Sequence, residues 1–322
     1  MQKVVIPMGE KLVVLIGPTA VGKTKMSIEL AKRLNAEIIS GDSMQVYKGM
    51  DIGTAKITRE EMEEIPHHLI DMKDPDESFS VAEFQQLARA LIREITRRGK
   101  LPMIVGGTGL YIQSVIYDYR FSDAPSDETY RQHLYRIAEE KGEMTLYEIL
   151  KDIDPESAER IHHRNVRRVI RALEIYHCTG KTMTEWQQTQ TPELLYDVAI
   201  IGLTMEREQL YRRINERVDQ MMAAGLLEEV KSLYNRGIRD CQSIQAIGYK
   251  EIYAYLDGQL SFEEAIEQLK QNSRRYAKRQ LTWFRNKMPV RWFDVTDPAK
   301  FTEKRDEILQ YIEGKLQLKT NI

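Results

Sequence analysis

One eight-residue segment near the amino end limits the possible folds more than any other part of this chain. It matches the phosphate-binding loop pattern at every required position. The segment reads Gly17, Pro18, Thr19, Ala20, Val21, Gly22, Lys23 and Thr24. Its glycines let backbone amides face a phosphate, Lys23 adds a positive charge, and Thr24 offers a hydroxyl to Mg²⁺. A diphosphate-like group is therefore expected to bind here.

The segments on either side of this loop fit a strand and a helix. Residues 11–16 are apolar and rich in β-branched side chains, as in a buried parallel strand. Residues 26–34 place apolar side chains at helical spacing without a proline. A second Gly-Lys-Thr, at 180–182, has Ile175 where the first glycine should stand, which predicts a helix end there.

Three further apolar runs, at residues 37–40, 101–105 and 198–204, predict more strands. Apolar positions between 84 and 95 predict a helix that ends near Gly99. In a parallel sheet ligands bind at the carboxyl ends of the strands, so Asp42 should lie on the same edge as the phosphate loop. Asp42 is then either a base at the site or a turn cap beside Ser43.

The run at 101–105 leads into Gly106, Gly107, Thr108 and Gly109. Nucleotide hydrolases often place an acidic residue at the end of such a strand to help hold Mg²⁺, and this chain has none there. The glycines would allow close approach to a ligand and Thr108 could donate to it. A plain tight turn is the alternative.

Residues 122–197 contain only helical patterns and suggest a lobe inserted into the first domain. Ser126 or Asp127 is the expected cap of its first helix. The fold class predicted is α/β, a P-loop parallel-sheet core with helices on both faces and an all-helical inserted lobe. The domains are 1–121, the first part of the catalytic core; 122–197, the insertion; and 198–322, the core resumed and ending in basic helices.

Two helices are predicted to carry a basic face. In the first, beginning near Arg164, one face is apolar from Val166 to Tyr176 and the other bears arginines. In the second, residues 262–285, no acid occurs between Glu267 and Asp294. Two such faces in a slightly acidic chain favour a polyanionic partner, with nucleic acid the natural candidate.

Arg217 lies at the edge of an apolar helical stripe that runs from Leu210 to Met222. A charge in that position needs a partner. Arg217 therefore either pairs with a buried acid or faces the phosphate site.

Composition sets the remaining bounds. The chain has 322 residues, a net charge of −2 and two cysteines, Cys178 and Cys241, which are far apart. Neither a disulfide framework nor a structural zinc site is expected, which suits a reducing cytoplasm. No apolar run is long enough to span a membrane, which fits a cytoplasmic protein. A monomer without an obligate protein partner is the default expectation, because one chain contains every part that the proposed site needs.

Taken together, these motifs resemble the bacterial tRNA dimethylallyltransferase family, also called tRNA isopentenyltransferases. The resemblance covers nearly the whole chain in order. Its motifs lie at residues 17–24, 41–56, 66–71, 106–111, 171–174, 245–251 and 277–285.

The resemblance implies transfer of a dimethylallyl group from dimethylallyl diphosphate to the exocyclic amine of an adenosine beside the anticodon of tRNA. The phosphate loop would hold the leaving diphosphate, with Lys23, and Mg²⁺ on Thr24, neutralising its charge. Asp42 matches the general base. Thr108 and Arg217 match diphosphate and transition-state contacts.

By the same resemblance, residues from three stretches would contact the tRNA anticodon stem-loop: Ser43, Met44 and Gln45; Arg167, Arg168 and Arg171; and Gln245, Ala246, Ile247, Gly248 and Tyr249. Asp42, Thr108, Arg131 and the cations of the second basic face, Arg274, Arg275, Lys278 and Arg279, are also expected to contact tRNA.

Three alternatives stay open at the level of sequence. A small-molecule kinase would use the phosphate loop for ATP and Asp42 to activate a hydroxyl, but it needs neither basic face. An adenylate isopentenyltransferase would prenylate free nucleotides, against which the basic insertion argues. A non-catalytic nucleotide-dependent RNA-binding protein would use Asp42 only as a turn cap.

Overall fold

The computed structural model describes residues 9–119, 127–188 and 193–318. Its six strands are β1 (Lys11–Ile16), β2 (Ala36–Ser40), β3 (His67–His68), β4 (Leu101–Gly106), β5 (Asp197–Thr204) and β6 (Arg291–Asp294). Its α-helices are α1 (Lys23–Leu34), α2 (Val81–Arg97), α3 (Gly109–Ile116), α4 (Glu128–Lys141), α5 (Glu143–Ile153), α6 (Pro155–Arg160), α7 (Val166–Thr179), α8 (Met183–Gln188), α9 (Arg207–Ala223), α10 (Leu226–Asn235), α11 (Tyr249–Leu256), α12 (Phe262–Lys287) and α13 (Phe301–Leu316).

The six strands form one parallel sheet in the order β3-β2-β4-β1-β5-β6. Ile16, the last residue of β1, is level with Gly106 of β4 and Gly202 of β5. The loops that follow β1 and β4 therefore leave the sheet at one edge, which is where parallel sheets bind ligands. The α/β fold class predicted from the sequence is confirmed.

Sequence pattern explains the central strands better than the outer ones. Five of the six residues of β1 and all five of β2 are buried, in keeping with a sheet covered on both faces. The two outermost strands were missed. β3 has two residues and β6 has only four, half of them charged, so neither gives an apolar run that pattern reading can detect.

The helix boundaries follow their caps. Ser80 accepts a hydrogen bond from the backbone N–H of Glu83 at the start of α2, and Ser261 forms a capping box with Glu264 at the start of α12. α7 ends at Thr179 with Gly180 in the left-handed conformation. The second Gly-Lys-Thr is thus a helix end, as predicted.

The chain divides by its internal contacts into two compact units. The first, here called the sheet unit, consists of the residues up to Ile116 and those from Leu194 onward. The second, the helical unit, is Tyr117–Glu193 and contains α4 to α8. Ser122, where the insertion was predicted to begin, and Ser126, one of its two proposed caps, lie outside the described residues.

The helical unit has a core of its own, which includes Leu134, Leu146, Leu150, Val169 and Leu173. Asp127 caps α4 by accepting a hydrogen bond from the Tyr130 N–H at 2.9 Å. The apolar face predicted for α7 was wrong at its last position, because Tyr176 is 40% exposed. Among the described residues, no helix is long and apolar enough to cross a membrane.

Candidate functional site

The phosphate loop joins β1 to α1 and is built by its two glycines and its lysine. A Cβ on Gly17 would lie 2.8 Å from the Leu203 carbonyl oxygen, so the tight passage beside β5 requires glycine. Gly22 has φ of 103° and caps α1. The Nζ atom of Lys23 donates to the carbonyl oxygens of Gly17 (3.0 Å) and Pro18 (2.8 Å). The lysine therefore lies across the loop.

A cavity of about 680 Å³ opens beside this loop, within the sheet unit. It brings together many of the residues singled out from the sequence. These are Thr19, Ala20, Gly22, Lys23, Thr24, Asp42, Ser43, Met44, Gln45, Arg217, Gln245, Ala246, Ile247 and Arg279. Gly17, Pro18, Val21, Thr108, Gly248, Tyr249, Arg274, Arg275 and Lys278 belong to the same unit but do not line the cavity.

Lys23 and Arg217 are two of the cationic side chains that line the cavity, beside Arg213, Lys250 and Arg279. The pKa of Lys23 is lowered to about 7, mainly by burial and to a smaller extent by the nearby Arg217 guanidinium. The Asp42 carboxylate opposes this shift. Arg217, on α9, forms no ion pair within the described ranges and faces the cavity, which is the second of the two positions predicted for it. Burial lowers the pKa of Arg217 as well, and Asp42 again opposes. A bound anion would stabilise the charged form of both side chains.

Asp42 follows β2 and serves as a turn cap with one of its two carboxylate oxygens. Its Oδ1 accepts from the backbone N–H groups of Met44 (2.8 Å) and Gln45 (3.4 Å). Its Oδ2 accepts no hydrogen bond from the described part of the chain. The two sequence interpretations are therefore compatible, because capping fixes the carboxylate and leaves one oxygen free for a ligand.

Thr108 lies behind the Asp42 turn. Its hydroxyl accepts from the Ser43 backbone N–H at 3.1 Å and lies 3.4 Å from the Ser43 hydroxyl. The neighbouring glycines were predicted to let a ligand approach, and Gly106 and Gly107 line the cavity. Protein groups occupy the space that a side chain would need at Gly106 and Gly109. A Cβ on Gly106 would overlap the Gly41 backbone, and one on Gly109 would overlap the Trp283 ring. These two glycines are required by close packing inside the protein.

Gln280 also lines the cavity and was not identified from the sequence as a site residue. It lies on α12 and is 5% exposed. Its Oε1 accepts from the Thr19 N–H (2.9 Å) and its Nε2 donates to the Gly107 carbonyl oxygen (3.0 Å). The available signal was a lone amide three residues after Ala277 and four before Phe284 on the apolar face of a helix.

Of the stretch 245–249, Gln245, Ala246 and Ile247 line the cavity, whereas Tyr249 does not. Tyr249 is 0% exposed, and its hydroxyl donates to Glu229 at 2.6 Å. Glu229 in turn accepts the backbone N–H groups of residues 51–53 at 2.8–3.0 Å. A direct tRNA contact by the Tyr249 side chain does not fit this geometry, because the ring is buried and supports the 51–53 loop.

In the helical unit, Glu174 organises part of the basic surface. Its carboxylate is 0% exposed and accepts from Arg131 (2.8 Å) and Arg171 (2.5 Å), as well as from the Asp127 N–H (3.0 Å). Arg131 and Arg171 remain about one third exposed. Arg167 and Arg168, on the outer face of α7, are exposed. The four predicted arginines thus comprise two that are held by a buried acid and two that are not.

Comparison of this chain with known proteins identifies its family. Residues 45–287 match the family model described as IPP transferase. The tRNA dimethylallyltransferase of Anoxybacillus flavithermus is 73% identical over 315 residues, which cover 98% of this chain and all of that protein. The tRNA dimethylallyltransferase of Geobacillus thermodenitrificans is 70% identical with the same coverage.

Solved structures agree with this match. The full-length tRNA isopentenylpyrophosphate transferase of Bacillus halodurans is 60% identical, with a TM-score of 0.74 over 96% of this chain and 97% of that one. A eukaryotic dimethylallyltransferase acting on tRNA is 34% identical, with a TM-score of 0.80 over 92% of this chain and 77% of that one. On the family model and on these relatives, the chain belongs to the IPP transferase family.

Proposed function

We infer that this chain transfers a dimethylallyl group from dimethylallyl diphosphate to the exocyclic amine of the adenosine on the 3′ side of the anticodon in tRNA, with release of pyrophosphate. One observation carries the inference. One cavity is lined by part of the phosphate loop with Lys23, by further cationic side chains that include Arg217, and by the Asp42 carboxylate with its free oxygen. An apolar wall formed by Ile214, Val218, Met221 and Leu269 lines the same cavity and suits a five-carbon group.

The phosphate loop with Lys23 and Arg217 is the proposed diphosphate site. As the amine nitrogen attacks the allylic carbon, the bond from that carbon to the diphosphate oxygen breaks and its electron pair leaves with pyrophosphate. Lys23 and Arg217 neutralise the charge that develops on the leaving group. A well-aimed donor at such a position typically contributes about 3 kcal/mol to the stability of the transition state.

Asp42 is the proposed base. The free Oδ2 would take the proton that the amine nitrogen loses as the new carbon–nitrogen bond forms. A general base in this role typically contributes about 10² to 10⁴ in rate. Capping of the turn by Oδ1 holds the carboxylate in place, so little further ordering is needed when the substrates bind.

Mg²⁺ fits the phosphate loop through Thr24. Enzymes that transfer prenyl groups from a diphosphate generally use a divalent metal ion. Thr24 is exposed at the start of α1 and lines the cavity, and an oxygen ligand of this kind suits a hard cation. Among the described residues, no group of three or more His, Cys, Asp or Glu side chains could hold a metal ion. Thr24 would hold a bound Mg²⁺ in this loop, and the metal would supply positive charge that neutralises the leaving diphosphate.

The tRNA-facing residues are proposed on charge and exposure. Ser43, Met44 and Gln45 line the cavity beside Asp42, which supports the proposal that they read the adenosine. Arg167 and Arg168 of α7 and Arg275 and Lys278 of α12 are exposed cations suited to phosphate contacts. Arg131, Arg171, Arg274 and Arg279 complete the proposed basic set, and Gln245 to Gly248 the proposed loop contacts.

Prenyl transfer from labelled dimethylallyl diphosphate tests the proposal directly. Unmodified tRNA, AMP and ATP are offered in parallel, with Mg²⁺ present. Label on tRNA alone is expected. Label on a free nucleotide would replace tRNA with a nucleotide acceptor, and ATP turnover without prenyl transfer would favour the kinase alternative.

A further inference from the structure

The phosphate loop and the loop after β4 meet at one side chain. Gln280 reaches them from α12, and its amide makes one hydrogen bond to each loop: from the Thr19 N–H to Oε1, and from Nε2 to the Gly107 carbonyl oxygen. No other side chain in the described residues forms hydrogen bonds to both loops. Because Gln280 is 5% exposed, water does not readily compete for either bond.

The second of these loops also holds the Asp42 turn. Thr108, next to Gly107, accepts from the Ser43 N–H, and its own N–H donates to the Gly41 carbonyl oxygen at 3.2 Å. A displacement of Gly107 would therefore move Thr108 and, through it, the backbone on both sides of Asp42. Gln280 thus stands between the proposed leaving-group site and the proposed base.

We propose that Gln280 is a positioning residue that fixes the phosphate loop and the Asp42 turn in register, so that the allylic carbon of the bound diphosphate and the base both face the acceptor nitrogen. This proposal rests on the proposed function, since it concerns the same cavity. Gln280 lines the cavity, but both ends of its amide are bonded to the two loops. A displacement of about 1 Å at a reacting centre typically costs about 10²-fold in rate, which sets the scale of the expected effect.

Gln280→Met is the first test, because methionine keeps the chain length and removes both hydrogen bonds. We expect kcat for prenyl transfer to fall about 10- to 100-fold, while KM for tRNA changes less than threefold. Gln271→Met, at an exposed position of the same helix, is the matched control and should behave as wild type. Wild-type kcat in Gln280→Met would overturn the proposal, as would a loss of kcat that the Gln271 variant shares.

Gly107→Ala offers an independent test through the same contact. A Cβ at Gly107 would overlap the Gln280 amide nitrogen and come close to no other side chain. Alone, Gly107→Ala should lower kcat about as much as Gln280→Met, because it pushes the amide aside. In a Gln280→Ala background it should cost little more, since the overlap is gone. If the two losses multiply instead, Gly107 acts independently of Gln280 and the proposal is wrong.

Two further readouts separate this proposal from its alternatives. Melting temperatures show whether Gln280→Met folds, and if it does not, the Gly107→Ala cycle decides the question. Calorimetric binding of inorganic pyrophosphate does not depend on transfer. A wild type that binds pyrophosphate but transfers no prenyl group contradicts the proposed function alone. Wild-type pyrophosphate affinity together with wild-type kcat in Gln280→Met contradicts the positioning role alone.

Discussion

Helices α7 and α12 look alike in sequence, with an apolar face and a row of arginines, but they are used differently. In α7 the buried acid Glu174 lies on the helix itself and pairs with Arg171 beside it and with Arg131 of α4. In α12 the buried polar side chain is an amide, Gln280, which bonds to two loops of the cavity. α7 thus supports a basic surface within the helical unit, whereas α12 carries a basic surface and also shapes a site. A basic helical face alone does not distinguish these two roles.

The largest expected effect is at the base. Asp42→Asn keeps an oxygen that can accept from the Met44 N–H, so the turn is preserved, but it removes the proton acceptor. We expect kcat to fall about 10²- to 10⁴-fold with tRNA affinity unchanged, measured by single-turnover transfer and by filter binding. Normal turnover in this variant would reduce Asp42 to a turn cap. A parallel loss of tRNA affinity would mean that the variant disturbs more than the chemistry.

The next effect concerns Lys23 and pH. Its pKa of about 7 in the ligand-free protein should rise when an anion binds, because the anion stabilises the charged amine. Between pH 7 and the higher bound pKa, binding then takes up a proton, and pyrophosphate affinity falls by as much as about tenfold per pH unit as pH rises.

Lys23→Arg is the control for this pH dependence, since arginine stays charged throughout the range. The ratio of wild-type to variant affinity cancels the titration of pyrophosphate itself. That ratio should fall between pH 7 and pH 9, with proton uptake by the wild type visible in calorimetry in buffers of different ionisation enthalpy. A ratio that does not change with pH would contradict the low pKa.

A moderate effect is expected on the surface of α7. Removing two exposed cations with Arg167→Gln and Arg168→Gln should raise KM for tRNA about tenfold and leave kcat unchanged. The slope of log affinity against log salt should become shallower by about 1 for each lost phosphate contact. Lys151→Gln, an exposed cation on α5, is the control. An unchanged salt slope in the double variant would remove α7 from the RNA-binding surface.

The sequence predicted the secondary-structure elements of this protein better than the side-chain contacts between distant segments. The phosphate loop, four of the six strands and the two basic helices could be read from local pattern, since each depends on neighbours within a few positions. The contact of Gln280 with Thr19 and Gly107 could not, because it joins segments 261 and 173 residues apart. The burial of Tyr249 was missed for a similar reason, since its partner Glu229 belongs to another helix. Asp42 shows the intermediate case, in which local pattern offered two roles and geometry showed that turn capping leaves one carboxylate oxygen free for the other.

The smallest expected effect concerns Glu174. It tests whether this buried side chain holds the helical unit together through its hydrogen bonds, as Gln280 is proposed to hold the two loops of the cavity. Glu174→Gln keeps an acceptor for the Asp127 N–H. Its amide nitrogen, however, is a donor that would face the donating Arg171 guanidinium, so that hydrogen bond is lost. We expect the free energy of unfolding to fall by about 2 kcal/mol, as for a hydrogen bond to a charged group, and KM for tRNA to rise only a few-fold. Urea denaturation measures the first quantity, and Glu128→Gln, which removes an exposed partner of Arg131, should change it by less than about 0.5 kcal/mol. If the free energy of unfolding falls equally in the two variants, the burial of Glu174 does not strengthen its contribution to stability. If Glu174→Gln lowers kcat and leaves stability and KM unchanged, the helical unit does more than present cations, and the difference between α7 and α12 is smaller than their hydrogen bonds indicate.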